Sequence, residues 1–154
     1  MKSAFFIGLA AVAGLLAAGC ATPNLPPVDT SAAGWNVRFG QAVWHPRPEA
    51  PELAGELMLA TNATGDFVLQ FSKPPLDLVV AQRSGPRWTV AFPSEGRRYG
   101  GRGRGTHRLL WLHLADALGG RSLPGAVAFA PLRGDGWSLS NPKTGETLEG
   151  YLAP

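Results

Sequence analysis

Apolar residues recur at every second position through most of the chain beyond residue 34. That is the period of a strand with one buried face. Trp35, Val37 and Phe39 alternate with polar or small neighbours, as do Leu57 and Leu59, then Phe67, Leu69 and Phe71. Leu76, Leu78 and Val80 follow, then Trp88, Val90 and Phe92, then Val127 with Phe129, Trp137 with Leu139, and a last run around Leu148 to Leu152. Turn-forming clusters separate these runs: Asn62-Ala63-Thr64-Gly65, Lys73-Pro74-Pro75, Arg83-Ser84-Gly85-Pro86, Gly134-Asp135-Gly136 and Lys143-Thr144-Gly145. Connections this short join antiparallel neighbours, because parallel pairs need long crossovers. The pattern predicts a mainly β domain, a meandering and strongly curved antiparallel sheet with one apolar face.

One segment has a different period. Between Thr106 and Leu118, the residues Leu110, Trp111, Leu114, Ala115 and Leu118 recur at the spacing of an amphipathic helix. Thr106 is placed to act as its N-cap and Gly119-Gly120 as its stop. A helix with an apolar stripe and a sheet with an apolar face predict that the helix lies across the concave side. The side chains expected to line or fill that cup are Trp35, Phe39, Phe67, Leu69, Phe71, Leu78, Trp88 and Val90 from the sheet. Leu110, Trp111, Leu114 and Leu118 come from the helix. Whether they close as a solid core or leave an apolar cavity is open at this level; aromatic stripes are usually core, but bulky rings also line the mouths of sites.

The N-terminus carries a second message. One positive charge, Lys2, precedes an apolar stretch from Ala4 to Ala18, the layout of a secretory signal peptide. The stretch is shorter than the ~20 residues that span a hydrocarbon core as a helix. It closes in Leu16-Ala17-Ala18-Gly19-Cys20, and Cys20 is the only cysteine. Small residues followed by that cysteine resemble the lipobox of bacterial lipoproteins, with Ala17 where that family usually has Leu. The resemblance implies removal of residues 1–19 and lipidation of Cys20, which also accounts for a lone thiol in an exported chain. Residues 20–33 include Pro23, Pro26 and Pro27 and show no apolar periodicity, so they read as an extended tether. Residues 34–154 form a single domain, long enough to build a core without disulfides.

A lipidated cysteine, a proline-rich tether, a curved antiparallel sheet and a mid-chain helix together resemble the LolA/LolB lipoprotein-localisation family. The strand around Phe67 to Phe71, followed by Pro75-Leu76 and another strand, is similar to that family's strand, Pro-Leu-Gly turn and strand, with Asp77 in the place of Gly. Leu118-Gly119-Gly120 followed by Leu123-Pro124 is similar to the family's helix end. The resemblance implies a half-barrel cup for acyl chains. It also implies acyl-chain or lipoprotein cargo, a periplasmic carrier as partner, and an outer-membrane, periplasm-facing location. Ala21 after the cysteine fits the last point, since it lacks the Asp that signals inner-membrane retention in lipoproteins of this kind.

Charge adds one feature. The formal net charge is only +3, yet Arg83, Arg87, Arg97, Arg98, Arg102, Arg104 and Arg108 crowd one stretch in which Glu95 is the sole acid. Arg97 to Gly105 reads as a glycine-rich loop before the helix. It is either a solvated mobile loop or a contact surface for anionic headgroups or an acidic partner, through Arg97, Arg98, Arg102 and Arg104. Gly-Arg runs also occur in nucleic-acid-binding segments, a reading the export signal disfavours, so no nucleic-acid partner is expected.

Catalytic chemistry finds no motif. His45, His107 and His113 lack zinc-ligand spacing, no cysteine pair exists, and Gly120-Arg121-Ser122-Leu123-Pro124 fails as a nucleophile elbow at its last place. His113 and Asp116 stand three apart on the expected helix and read as a solvated pair. Neither a cofactor, a metal nor an enzymatic activity is expected. Two functions remain: an anchored lipoprotein that binds acyl chains or lipoproteins in an apolar cup, and an anchored interaction lipoprotein with a solid core and an arginine-rich contact loop.

Overall fold

The computed structural model describes residues 24–154. The segment read above as a signal peptide, Cys20 and the first residues of the expected tether lie outside them. Among the described residues nine strands form one antiparallel sheet: β1 (Trp35–His45), β2 (Leu53–Asn62), β3 (Phe67–Lys73), β4 (Leu76–Ser84), β5 (Arg87–Phe92), β6 (Arg97–Arg102), β7 (Ala128–Pro131), β8 (Gly136–Asn141) and β9 (Glu146–Leu152). Their order across the sheet is β6-β5-β4-β3-β2-β1-β9-β8-β7. The chain meanders outward from β1 to β6, then returns through the segment after β6 and adds the β7–β8–β9 meander on the other side of β1. The sheet is curved and unclosed, the mainly β half-barrel that the alternation predicts. Each of the five expected turns marks a connection between consecutive strands, although Asn62, Lys73, Arg83, Ser84 and Gly136 belong to the strands themselves.

Inward-facing positions follow the period of two. Leu57 and Leu59, Phe67, Leu69 and Phe71, Val79 and Ala81, Trp88, Val90 and Phe92, Trp137 and Leu139, and Leu148 and Leu152 are all buried on the concave face. On β1 the inward residues are Ala42 and Trp44. This corrects two expectations. Trp35 and Phe39 sit at odd positions of β1, in register with Asn62 and Met58 on the outer face. Period two sends all odd residues of this strand away from the cup, so Trp35 is only half-buried and Phe39 is 65% exposed. Strand β4 corrects a third. A bulge between Phe71 and Ser72 shifts its register, so Val79 and Ala81 point inward rather than Leu76 and Val80. Leu78, at the bulge, still packs against the core.

The long helix expected over Thr106–Leu118 is not there. A 3-10 turn, Leu110–Leu112, is followed by a five-residue helix α1, Leu114–Leu118. Thr106 caps neither; its hydroxyl accepts from the Arg108 amide and its carbonyl from the Leu109 amide, forming a local turn. The reason is burial on all sides. Leu110, Trp111, Leu112 and Leu114 are fully buried, and an amphipathic helix would turn part of this run to solvent, whereas a tight turn puts consecutive side chains into the cup. The expected stop holds. Gly120 adopts a left-handed φ of 68°, and the Gly120 and Arg121 amides donate to the carbonyls of Ala117 and Asp116 at 3.1 and 2.8 Å, the Schellman arrangement. Leu118 is half-buried against the core.

The concave face is therefore a filled core. Trp111 is its centre, stacked on Phe71 at 5.0 Å and edge-on to Trp44 at 5.6 Å. The segment Thr106–Leu118 thus acts as a plug in the cup, and at the far end from Trp44 this plug is locked by charge. Arg83, facing inward from β4, grips both carboxylate oxygens of Asp116 at 2.9 Å, donates to the Leu112 carbonyl at 3.1 Å, and lies over the Phe67 ring. His113 is buried with its Nε2 3.0 Å from the Thr106 carbonyl oxygen. Asp116 and His113 are thus interior ties rather than the solvated pair expected from their spacing, because this segment enters the cup, where Asp116 meets Arg83 of β4 and His113 meets the Thr106 carbonyl.

Candidate functional site

Where β1 ends and β9 begins, the half-barrel opens into a cleft of about 680 Å³. Its floor is Trp44, Phe92, Leu109 and the carboxyl of Glu146. Trp44 stacks on Phe92 at 5.9 Å, and Phe92 meets Tyr99 edge-on at 6.1 Å. The walls come from four elements: Pro46 and Arg47 after β1, Glu95, Arg97 and Tyr99 at the β5–β6 hairpin, Thr106 and Arg108 from the plug, and Thr144 before β9. Three arginines and five apolar or aromatic side chains thus converge on one opening.

Glu146 is the ionisable group at the bottom. The alternation Glu146, Leu148, Gly150, Leu152 places it inward at the first position of β9. Burial pushes its carboxyl up to about 7, against hydrogen bonds from the Trp44 indole N–H and the Leu110 amide that favour the charged form. The indole donates to Glu146 Oε1 at 2.9 Å. Near neutrality the group exchanges its proton readily, so the charge at the base of the cleft is set by pH. Of the arginines, Arg97 is paired with Glu95 and lies over Phe92 at 5.5 Å. Arg47 and Arg108 make no ion pair among the described residues. An aromatic floor with unpaired cations at its rim suits an amphiphile with an apolar body and an anionic head.

The residues expected from sequence distribute differently. Phe67, Leu69, Phe71, Trp88, Val90, Leu110, Trp111 and Leu114 meet in the core, as an interior rather than an open cup. The arginine segment is not a loop. Arg97–Arg102 is the edge strand β6, paired along its length with β5. Gly101 permits this pairing: a Cβ there would come within 2.7 Å of the Trp88 ring. The strand splits the four arginines. Arg97 projects with Phe92 to the concave side, Arg98 and Arg102 project outward with Ala91 and Arg87, and Arg104, beyond the strand, donates to the Ser122 hydroxyl at 2.9 Å.

Sequence reasoning missed Trp44, Arg47, Phe92, Tyr99, Arg108 and Glu146 as site residues. Glu146 had a signal, since it continues the inward alternation of the last strand; Arg47 had none, because its place follows from where the β1–β2 loop falls.

No group of three or more His, Cys, Asp or Glu among the described residues is placed to hold a metal ion. No helix among them is long and apolar enough to cross a membrane. No protein-family model and no curated protein sequence matches the chain.

Proposed function

We propose that this chain is a lipid-anchored lipoprotein of the outer membrane, facing the periplasm, that holds acyl chains or acylated proteins by the cationic and apolar groups at one end of the half-barrel. The lipobox-like sequence ending in Cys20 and the curved, unclosed sheet support an anchored relative of the LolA/LolB type. The observation that carries the binding reading is the end cleft, in which Trp44, Phe92 and Tyr99 lie beneath Arg47 and Arg108. Its volume falls within the roughly 300–1,000 Å³ usual for small-molecule sites. Cargo would engage this opening rather than the interior, which Trp111 and its neighbours occupy.

The test is uptake. Soluble protein beginning at Ala21 should bind a fluorescent fatty acid, and lipid should co-purify with it by mass spectrometry. Replacing Arg47 and Arg108 by Gln should weaken a fatty acid far more than an uncharged dye. A second reading, an anchored interaction protein with a solid core and no ligand, is favoured by the filled concave face. Absence of co-purified lipid together with no uptake of either probe decides for it.

A further inference from the structure

The described chain begins at Asn24, and its first residues lie across the outer face of the sheet. Arg98 of β6 donates to the Asn24 side-chain oxygen, and Gln82 of β4 donates to the Pro26 carbonyl at 3.0 Å. Leu25 and Val28 are half-buried, and Thr30 lines an outer groove with Val37 and Phe39. Followed backwards from β1, the chain crosses the sheet and reaches its β6 edge at Arg98. Cys20 precedes Asn24 by four residues, a stretch that spans at most ~14 Å when fully extended. The tether thus delivers its N-terminal end to one particular edge.

That edge is basic on its outer face. Cross-strand pairing sets Ala91 opposite Arg98, Thr89 opposite Gly100 and Arg87 opposite Arg102. These are the outward positions, because Trp88, Val90 and Phe92 are buried. Arg87, Arg98 and Arg102 therefore share one surface. Neither β5 nor β6 contains an acid, and none of the three forms an ion pair among the described residues. Arg87 and Arg102 directly opposite one another repel within the fold, a cost that an external anion relieves. Arg97 takes no part, since it faces the concave side beside Glu95.

The geometry points to the outer face of the β5–β6 hairpin as the surface on which the domain rests against the bilayer, with Arg87, Arg98 and Arg102 on anionic lipid headgroups. The inference rests on lipidation of Cys20 as proposed above. A lipid anchor ~14 Å or less from this face holds it close to the ~10 Å Debye length of 0.1 M salt. A short tether also raises the effective concentration of headgroups at the patch, so weak individual contacts suffice to orient the domain. The half-barrel then presents its opposite edge, β7, away from the membrane.

Because acylation leaves the chain without a free thiol, single cysteines can report the orientation. The full-length lipidated protein is prepared with Thr89→Cys on the proposed face, or Ala130→Cys on β7, each carrying a fluorophore. Vesicles contain phosphatidylcholine with or without phosphatidylglycerol, and a nitroxide quencher is attached to the headgroups. With phosphatidylglycerol, quenching at position 89 should exceed that at 130. The difference should vanish in pure phosphatidylcholine, in high salt, and when Arg87, Arg98 and Arg102 are all changed to Gln. That triple variant should still float with the vesicles and keep its thermal midpoint. Equal quenching at both positions, or a difference that survives the triple change, overturns the orientation while leaving the anchor standing. Protein that does not float with vesicles and retains a reactive Cys20 thiol shows that the anchor itself fails, and the orientation falls with it.

Discussion

Changing Glu146 to Gln should make the protein less sensitive to pH, and the size of the effect follows from the carboxyl's surroundings. Burial raises its pKa from 4.5 to about 7. The folded protein therefore holds a proton over a range in which the unfolded chain has released it. Stability from this group is fully present below pH 4.5 and is lost as pH rises through about 7. At 1.36 kcal/mol per unit, the loss comes to roughly 3 kcal/mol between those limits. Gln keeps an oxygen to accept from the Trp44 indole and carries no charge to desolvate.

Wild type and Glu146→Gln should then have similar stability near pH 4, and the variant should be the more stable above pH 7.5. The assay is denaturant unfolding of each protein at intervals from pH 4 to 8, followed by tryptophan fluorescence. His113 contributes in the opposite sense. Burial lowers its pKa, so acidification below its ordinary range destabilises the fold, and the stability it supports returns as pH rises. Both proteins share that term, so it cancels in the difference between the two curves. Parallel curves across the whole range would refute the reasoning, because they would mean that Glu146 titrates as a solvated carboxylate and that the cleft floor is wet. The same titration reaches the proposed ligand. Affinity for a fatty acid should fall as pH rises through about 7 in the wild type, as Glu146 gains charge, and stay flatter in the variant.

Further outcomes test the core, the lock, the edge and the anchor. Leu114→Ala, at a fully buried position, should cost about 2–5 kcal/mol by chemical denaturation; a much smaller loss would mean that the plug sits loosely. Asp116→Asn removes one partner of the buried Arg83 pair and should cost about 3–5 kcal/mol, whereas replacing both partners by apolar residues should cost less. Gly101→Ala places a Cβ within 2.7 Å of Trp88 and should destabilise by about 1–3 kcal/mol, seen with a shifted Trp88 environment by fluorescence. Cys20→Ser should move the protein from the membrane pellet to the soluble fraction. Recovery in the pellet at high salt counts against lipidation as the anchor.

Much of the fold is legible in the alternation itself. A period-two pattern broken by turns such as Asn62-Ala63-Thr64-Gly65 and Lys73-Pro74-Pro75 specifies antiparallel strands locally, and the β1–β6 and β7–β9 meanders follow from pairing of consecutive strands, whereas the β1–β9 pairing that joins them is a distant contact. The Gly119-Gly120 stop is likewise local, since a left-handed residue is cheap only for glycine. The lipobox-like order of residues ending in Cys20 is also legible in the sequence alone, because it is a local run of residue types.

Tertiary structure decided the rest, for three physical reasons. Alternation does not say which face of a strand is buried, so Phe39 and Trp44, both bulky and aromatic on β1, could be told apart only by which parity the neighbouring strands and the plug cover. Environment overrides local periodicity: residues 110–118 carry helical spacing, but a site buried on every side favours a 3-10 turn and a single helical turn or so, with Asp116 turned inward to Arg83. Edge strands are the weakest signal of all. Arg97–Arg102 has the composition of a solvated loop and becomes β6 because β5 offers an unpaired row of hydrogen-bonding groups and Gly101 lets Trp88 lie close. The end cleft is of the same kind. Trp44, Arg47, Tyr99, Arg108 and Glu146 come from separate parts of the chain, and only the curvature of the sheet brings them to one opening, where the exclusion of water gives Glu146 its raised pKa.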